Sequence, residues 1–234
     1  MVKLMALTKL PRNVSVDDFR HYWNHSFFPA FHALPLVREH LIRAAHNPVI
    51  PMAIRGEETT VADQWAGAAC YYFDSRVMAE AVLADPAYRE LRAEHSDIMS
   101  AFVHLLVEEV WIYNRDTSHL PIKAFAFFKR QPKFSRLEAL QYYQGPHAEL
   151  GETVNRGRTV RYIQNHTLLD YRNPDTRHDY DGGPEIWFKS METAMDLFGD
   201  KQAMATLAED EERFVLRDQL VHFLAEEEIL YDQT

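Results

Sequence analysis

The chain has 234 residues, 47% apolar and 12% aromatic, enough to bury a core in one large domain or two small ones, and this excludes a disordered chain. A formal net charge of −10 argues against nonspecific binding to nucleic acid or to an anionic membrane, since both rest on lysine and arginine neutralising phosphate. Cys70 is the only cysteine, which excludes an intramolecular disulfide; with no apolar run long enough for a signal peptide or a membrane span, the expectation is a cytoplasmic protein.

Val2 to Lys9 is a short apolar run followed by Pro11, and predicts a strand because a helix needs more length. Ser15 stands three residues before Asp18 in the position of an N-cap, and the helix it opens carries Phe19, Tyr22 and Trp23 on one face and should weaken near Pro29. Glu39 to His46 is a second strand, and Asn47 to Asp63, with two prolines and a glycine, reads as an irregular loop. Trp65 to Phe73 is a third strand, apolar on both faces. Ser75 caps a helical region that runs, with a break at Pro86, to about Met99, and Val103 to Tyr113 is the fourth strand. The order βαββαβ is that of a ferredoxin-like module.

The polar connector Asn114 to Pro121 separates this module, residues 1–116, from a second at 121–234. There the order repeats: a strand Ile122 to Lys129, a helix capped by Ser135 with Glu138 as capping-box partner, and a strand Thr159 to His166. A strand Pro184 to Phe188, a helix from Ser190 and a strand Gln219 to Leu230 follow. The first of these helices should be cut short by Gly145-Pro146, just before His147. The acidic run Glu209-Asp210-Glu211-Glu212 reads as a solvated helix face.

The two modules are a diverged tandem duplication. His166 follows His46 by 120 residues, and the same offset relates Lys123 to Lys3, Lys129 to Lys9, Ser135 to Ser15 and Tyr142 to Tyr22. The offset then drifts, so that Trp187-Phe188-Lys189-Ser190 answers Tyr72-Phe73-Asp74-Ser75, and Val221 to Glu227 answers Val103 to Glu109. The expected fold class is α+β. Strands apolar on both faces are best served by two ferredoxin-like βαββαβ modules packed sheet to sheet around a barrel-like interior.

The Ile-Lys strand start, the capped helix with Tyr142-Tyr143, His147 four residues after that pair, the run Tyr162-Ile163-Gln164-Asn165-His166 and the run Glu185-Ile186-Trp187-Phe188-Lys189-Ser190 together resemble an EthD-type module. The resemblance implies the dimeric α/β-barrel superfamily, here with both halves of the barrel in one chain, so that a homodimer is neither required nor forbidden. That superfamily includes cofactor-free cyclases, dehydratases, lactone isomerases and small monooxygenases as well as haem enzymes, and fold alone does not choose among them. Catalysis in EthD-like relatives resembles acid–base chemistry by histidines on an apolar, often phenolic substrate. The second module keeps the family's helix-end histidine as His147, whereas the first has Phe27 there, which implies one working pocket and one reshaped.

His147, His166 and, in the first module, His46 are accordingly the candidate acid–base groups, since imidazole exchanges protons near neutral pH; each also has a reading as a structural hydrogen-bonded histidine. Glu185 shares a strand face with Trp187, and in an apolar cavity it would serve as a general acid or orient a histidine; on a rim it would pair with an arginine. Tyr142, Tyr143 and Trp187 are candidate substrate contacts or core aromatics, and His104 and His222, at matching sites in the last strands of the two modules, are candidates to contact substrate from a polar patch of the cavity or else lie on the solvated side. Cys70 reads as a buried inert thiol. No cysteine pair or compact His/Asp/Glu triad suggests a metal, and no Gly-rich phosphate loop or nucleophile elbow is present. The expectation is a cofactor-independent lyase or isomerase that takes a small hydrophobic aromatic substrate and eliminates water or another small group such as formaldehyde, or closes a ring. A monooxygenase or haem enzyme, and a noncatalytic carrier of an apolar ligand, are the alternatives.

Overall fold

The computed structural model describes residues 1–11, 13–51, 65–116, 118–174 and 176–233. In chain order it contains β1 (Val2–Lys9), α1 (Val16–Tyr22), α2 (Phe28–Ala33), α3 (Pro35–His40), β2 (Leu41–Pro48), β3 (Trp65–Phe73), α4 (Arg76–Ala84), α5 (Pro86–Glu94) and β4 (Ala101–Asn114). The second series is β5 (Ile122–Phe127), α6 (Arg136–Tyr142), α7 (Ala148–Val154), β6 (Thr159–Thr167), β7 (Gly182–Phe188), α8 (Met191–Gly199), α9 (Lys201–Phe214), β8 (Val221–Glu226) and β9 (Glu228–Asp232). The two βαββαβ series are therefore present, and the fold is α+β. Most of the loop expected between Asn47 and Asp63 lies outside the described residues, while Asn47 and Pro48 close β2.

The capping chemistry is where the sequence puts it. Ser15, Ser75 and Ser190 each accept from the backbone N–H three residues on, and Ser135 with Glu138 forms a reciprocal capping box. The helix ends are not. Gly145-Pro146 does not stop the chain's helical course: Tyr143–His147 forms a π-helical turn that leads straight into α7. A wide π turn leaves room for a proline that lacks an N–H, so the helix is deformed rather than broken. The first module has the same turn at the same repeat position, Trp23–Phe27, and Pro29 follows in the first turn of α2 without ending it.

Two compact units result. The first holds β1 to β3, α1 to α5, β4 up to Leu106, and the chain from Glu227. Within it the strand order is β4-β1-β3-β2-β9. The second holds Val107 to Glu226, in the order β8-β5-β7-β6-β4. The expected single strand Gln219 to Leu230 is thus two strands. β9 joins the first unit by pairing with β2, Arg43 opposite Asp232 and His46 opposite Glu228. Local periodicity cannot register such a partner so far away in sequence.

In the second unit the pleat sorts the side chains. Ala124, Ile186 and Tyr162 are cross-strand neighbours on the face covered by α6 to α9. Lys123, Trp187, Glu185 and Ile163 alternate onto the other face, where Trp187 and Ile163 pack with Leu120 and Val160. Among the described residues no helix is long and apolar enough to cross a membrane.

Candidate functional site

A cavity of about 60 Å³ lies between the helices and the sheet of the second unit. Its walls are apolar, from Ala124 and Ile186 on the sheet to Leu197, Met204 and Phe214 on the helices, and its polar groups are few: Tyr143, His147, Asn155, Tyr162, Glu211 and His222. An enclosed apolar pocket with a few convergent polar groups is the usual form of a small-molecule site.

His147 ends the π-helical turn, so the deformation that accommodates Pro146 also sets where the imidazole stands. Its Nδ1 lies 2.8 Å from Asp210 Oδ2, and Tyr142 donates its hydroxyl to the other carboxylate oxygen at 2.6 Å. A carboxylate can only accept, so Nδ1 carries the proton and Nε2 is the nitrogen left for a ligand. The hydrogen bond from His147, then that from Tyr142, holds the Asp210 carboxyl below its ordinary range against the opposing effect of burial. The rings of Tyr143 and Phe214 flank His147 at 5.5 and 5.2 Å.

Asp210 and Glu211 correct the reading of the acidic run as a solvated face: both are 6% exposed. The signal was present in α9, where Met204, Leu207, Glu211 and Phe214 recur at the spacing of a buried helical stripe, so that carboxylates interrupt an apolar face.

His166 is a different case. Gln164 donates its amide to the Tyr143 backbone carbonyl (2.7 Å) and to the Tyr162 hydroxyl (2.8 Å), which fixes the amide's orientation. Its Oε1 therefore faces His166 Nε2, at 3.0 Å, and must accept the imidazole proton. Burial pushes the His166 pKa down to about 4, so the ring is neutral at pH 7. It touches the Tyr143 ring at 5.6 Å and is not part of the cavity wall.

Glu185 and Trp187 are not brought to the cavity, because β7 turns them to the opposite face from Pro184 and Ile186. Glu185 is neither the cavity acid nor the rim glutamate paired with an arginine that the sequence left open. It is paired with Lys123 Nζ at 2.7 Å, with both side chains 1% exposed, and it accepts from Asn165 at 3.1 Å. Its partner came from the repeat position of Lys3, a link that sequence alone did not suggest.

The first-unit candidates lie elsewhere again. His46 is buried, stacks on Trp23 at 5.1 Å and meets Asn24 Oδ1 at 2.9 Å. Asn24 in turn donates to Glu228, which also accepts from Arg20. His104 lies 2.7 Å from the Tyr88 hydroxyl. Burial, and secondarily a nearby arginine, lowers both histidines to a pKa of about 3. Cys70 is a buried thiol whose sulfur accepts from Asn47 Nδ2 at 3.6 Å.

A helical histidine pair escaped the sequence reading: His21 and His25 stand four apart with ring centroids 4.5 Å from one another. Among the described residues no group of three or more His, Cys, Asp or Glu is placed to hold a metal.

Residues 131–218 match the EthD domain family. No curated protein matches the chain in sequence. Among solved structures, the chain is similar to an anthrone oxidase-like protein, with a TM-score of 0.68 at 9% identity over 100% of this chain and 94% of that one. It is also similar to a mutant chlorite dismutase from Candidatus Nitrospira defluvii (TM-score 0.54, 12% identity, 98% of this chain and 92% of that one). A protein proposed to be a monooxygenase, from Fusobacterium nucleatum subsp. nucleatum, gives 0.53 at 7% identity, again over 98% and 92%. At such identities the likeness is one of fold, that of dimeric α/β-barrel proteins.

Proposed function

Proceeding from an EthD domain at residues 131–218, we propose that the second-unit cavity takes a small, apolar, ring-bearing molecule with a weakly acidic proton, and that His147 removes that proton. The chain is then an enzyme of the lyase or isomerase type. The substrate's C–H or O–H electron pair is freed as the proton passes to Nε2. The carbon pair then expels hydroxide, which leaves as water by taking the proton back from Nε2, or adds to a carbonyl to close a ring whose oxygen takes that proton, or is reprotonated at another atom; an alkoxide pair instead forms the carbonyl of departing formaldehyde while the Nε2 proton goes to the carbon left behind. The observation that carries this reading is the Tyr142–Asp210–His147 chain of hydrogen bonds at the wall of an apolar cavity. Asp210 fixes the tautomer that a base requires and compensates the imidazolium as it forms. His166, neutral and bound to Gln164, positions the Tyr143 ring rather than exchanging protons.

The test is hydrogen–deuterium exchange at the acidic ring CH₂ of 2-tetralone in D₂O, followed by NMR, with wild type and His147→Gln. Acceleration by wild type that falls in the folded variant supports the proposal. Equal exchange with both sinks His147 as the base, and saturable binding with no exchange by either favours a noncatalytic carrier.

A second reading, oxygenation of the deprotonated substrate by O₂, is supported by the whole-chain fold shared with the anthrone oxidase-like structure. Oxygen uptake on adding substrate separates it from elimination. Haem does not fit the residues around His147, whose imidazole is flanked by the Tyr143 and Phe214 rings at 5.5 and 5.2 Å. A Soret band in the purified protein would contradict that conclusion.

A further inference from the structure

Two polar atoms on residues of the cavity wall lack a well-formed hydrogen bond within the fold. The Tyr143 hydroxyl and Asn155 Oδ1 are buried without a hydrogen-bond partner of ordinary geometry, in side chains whose residues are 1% and 2% exposed. Both residues line the cavity. A buried donor or acceptor left unpaired costs about 1–3 kcal/mol, so their persistence calls for a partner that arrives with a ligand. The Tyr143 phenol is also held in its protonated form, by burial first and then by the neighbouring Tyr162, so it is a donor at any physiological pH. The hydroxyl beside it is that of Tyr162, which already accepts from Gln164, and a ligand oxygen better placed than this neighbour takes the Tyr143 proton. Asn155 Oδ1 can only accept.

We infer that Tyr143 and Asn155 are a donor–acceptor pair that selects the ligand: a ring compound that presents a carbonyl or phenolate oxygen to Tyr143 and a hydroxyl hydrogen to Asn155. The inference deepens the proposed function and rests on its reading of the cavity as the substrate site. It does not require His147 to be a base. The pair explains how a cavity of otherwise apolar wall would orient a molecule, since apolar contacts alone discriminate weakly between orientations. Gly151 completes the arrangement. A methyl group built there would meet only Tyr162 at 3.7 Å and the Asn155 amide at 4.0 Å, so the glycine leaves open the side of the cavity next to this pair.

The experiment is a binding series by NMR titration with four single-ring probes: toluene, acetophenone, 3-methylphenol and 3-hydroxyacetophenone. Wild type should rank 3-hydroxyacetophenone tightest and toluene weakest, with each hydrogen bond contributing on the order of five- to ten-fold. Tyr143→Phe should abolish the preference for acetophenone over toluene, and Asn155→Leu the preference for 3-methylphenol over toluene. Tyr143→Phe removes a hydroxyl with no well-formed hydrogen bond in the fold, so its ligand-free Tm should be unchanged or higher, whereas a purely structural tyrosine would lose stability. His147→Gln should keep the ranking, so loss of proton exchange in that variant with the ranking intact would separate failure of the base from failure of this pair. If no probe binds to wild type, or if Tyr143→Phe and Asn155→Leu keep the wild-type ranking, the inference is overturned.

Discussion

The two units carry one ancestral plan to opposite ends. At repeat-equivalent positions the second unit has Tyr143, His147 and Gly151 where the first has Trp23, Phe27 and Phe31, and Ile186 where the first has Tyr71. In the first unit these larger rings fill the space beneath the helices. Phe31 packs 4.6 Å from Tyr71 and 5.3 Å from Tyr88, and Phe27 lies 4.5 Å from Trp23, all of them buried. In the second, a glycine and an aliphatic side chain leave a cavity, and a histidine with a buried carboxylate faces it. The comparison teaches that volume at two positions and one titratable side chain separate a core from a site. Both units share even the π-helical turn.

The strongest way to break the comparison is to give the second unit the first unit's filling. Gly151→Phe should abolish binding of 3-hydroxyacetophenone in NMR titration, at a stability cost of about 1–3 kcal/mol from overpacking that leaves the protein folded. Unchanged binding would show that the ligand enters elsewhere. Next comes the base. His147→Gln should reduce 2-tetralone exchange by about 10²- to 10⁴-fold, the usual worth of a positioned general base, while His46→Phe in the first unit should leave the rate untouched. A rate that falls as far with His46→Phe would return the first unit to candidacy. Asp210→Asn should have a smaller effect, on the order of ten- to a hundred-fold, because the imidazole remains but the tautomer is no longer enforced. Addition of imidazole should rescue His147→Gly and not Asp210→Asn.

The smallest effect sharpens the comparison through pH. His46 and His104 have folded-state pKa values of about 3, below the ordinary 6.5, because burial penalises the charged ring. The unfolded chain therefore binds more protons between pH 6.5 and pH 3, and stability is lost as pH falls through that window, at up to about 1.4 kcal/mol per pH unit for each histidine. His46→Phe, which keeps a ring against Trp23, should flatten the slope of urea-unfolding free energy between pH 7 and pH 5 relative to wild type. An unchanged slope would mean that His46 is not buried uncharged.

Much of this was open to a reader of the sequence. The 120-residue repeat, the serine N-caps at 15, 75 and 135, the helix start at Ser190 and the strand series follow from local chemistry and period, and all but the last strand, which is split into β8 and β9, stand in the fold within a residue or two. The duplication also carried His147 against Phe27, and with it the asymmetry between the units, because residue identity at an aligned position needs no coordinates. Only the tertiary structure decided the rest. Asp210 becomes the partner of His147 from 63 residues away, and Lys123 meets Glu185 from 62, so neither pair belongs to one element whose period could be read. The parity of β7 put Glu185 and Trp187 on the face away from the cavity, and alternation by itself says which residues share a face without saying which face meets the ligand. The π-helical turn overrode the proline, since the sequence marks a missing N–H but not how the surrounding packing accommodates it. Burial, finally, belongs to the whole fold: it turned an acidic run that looked solvated into the group that orients the histidine.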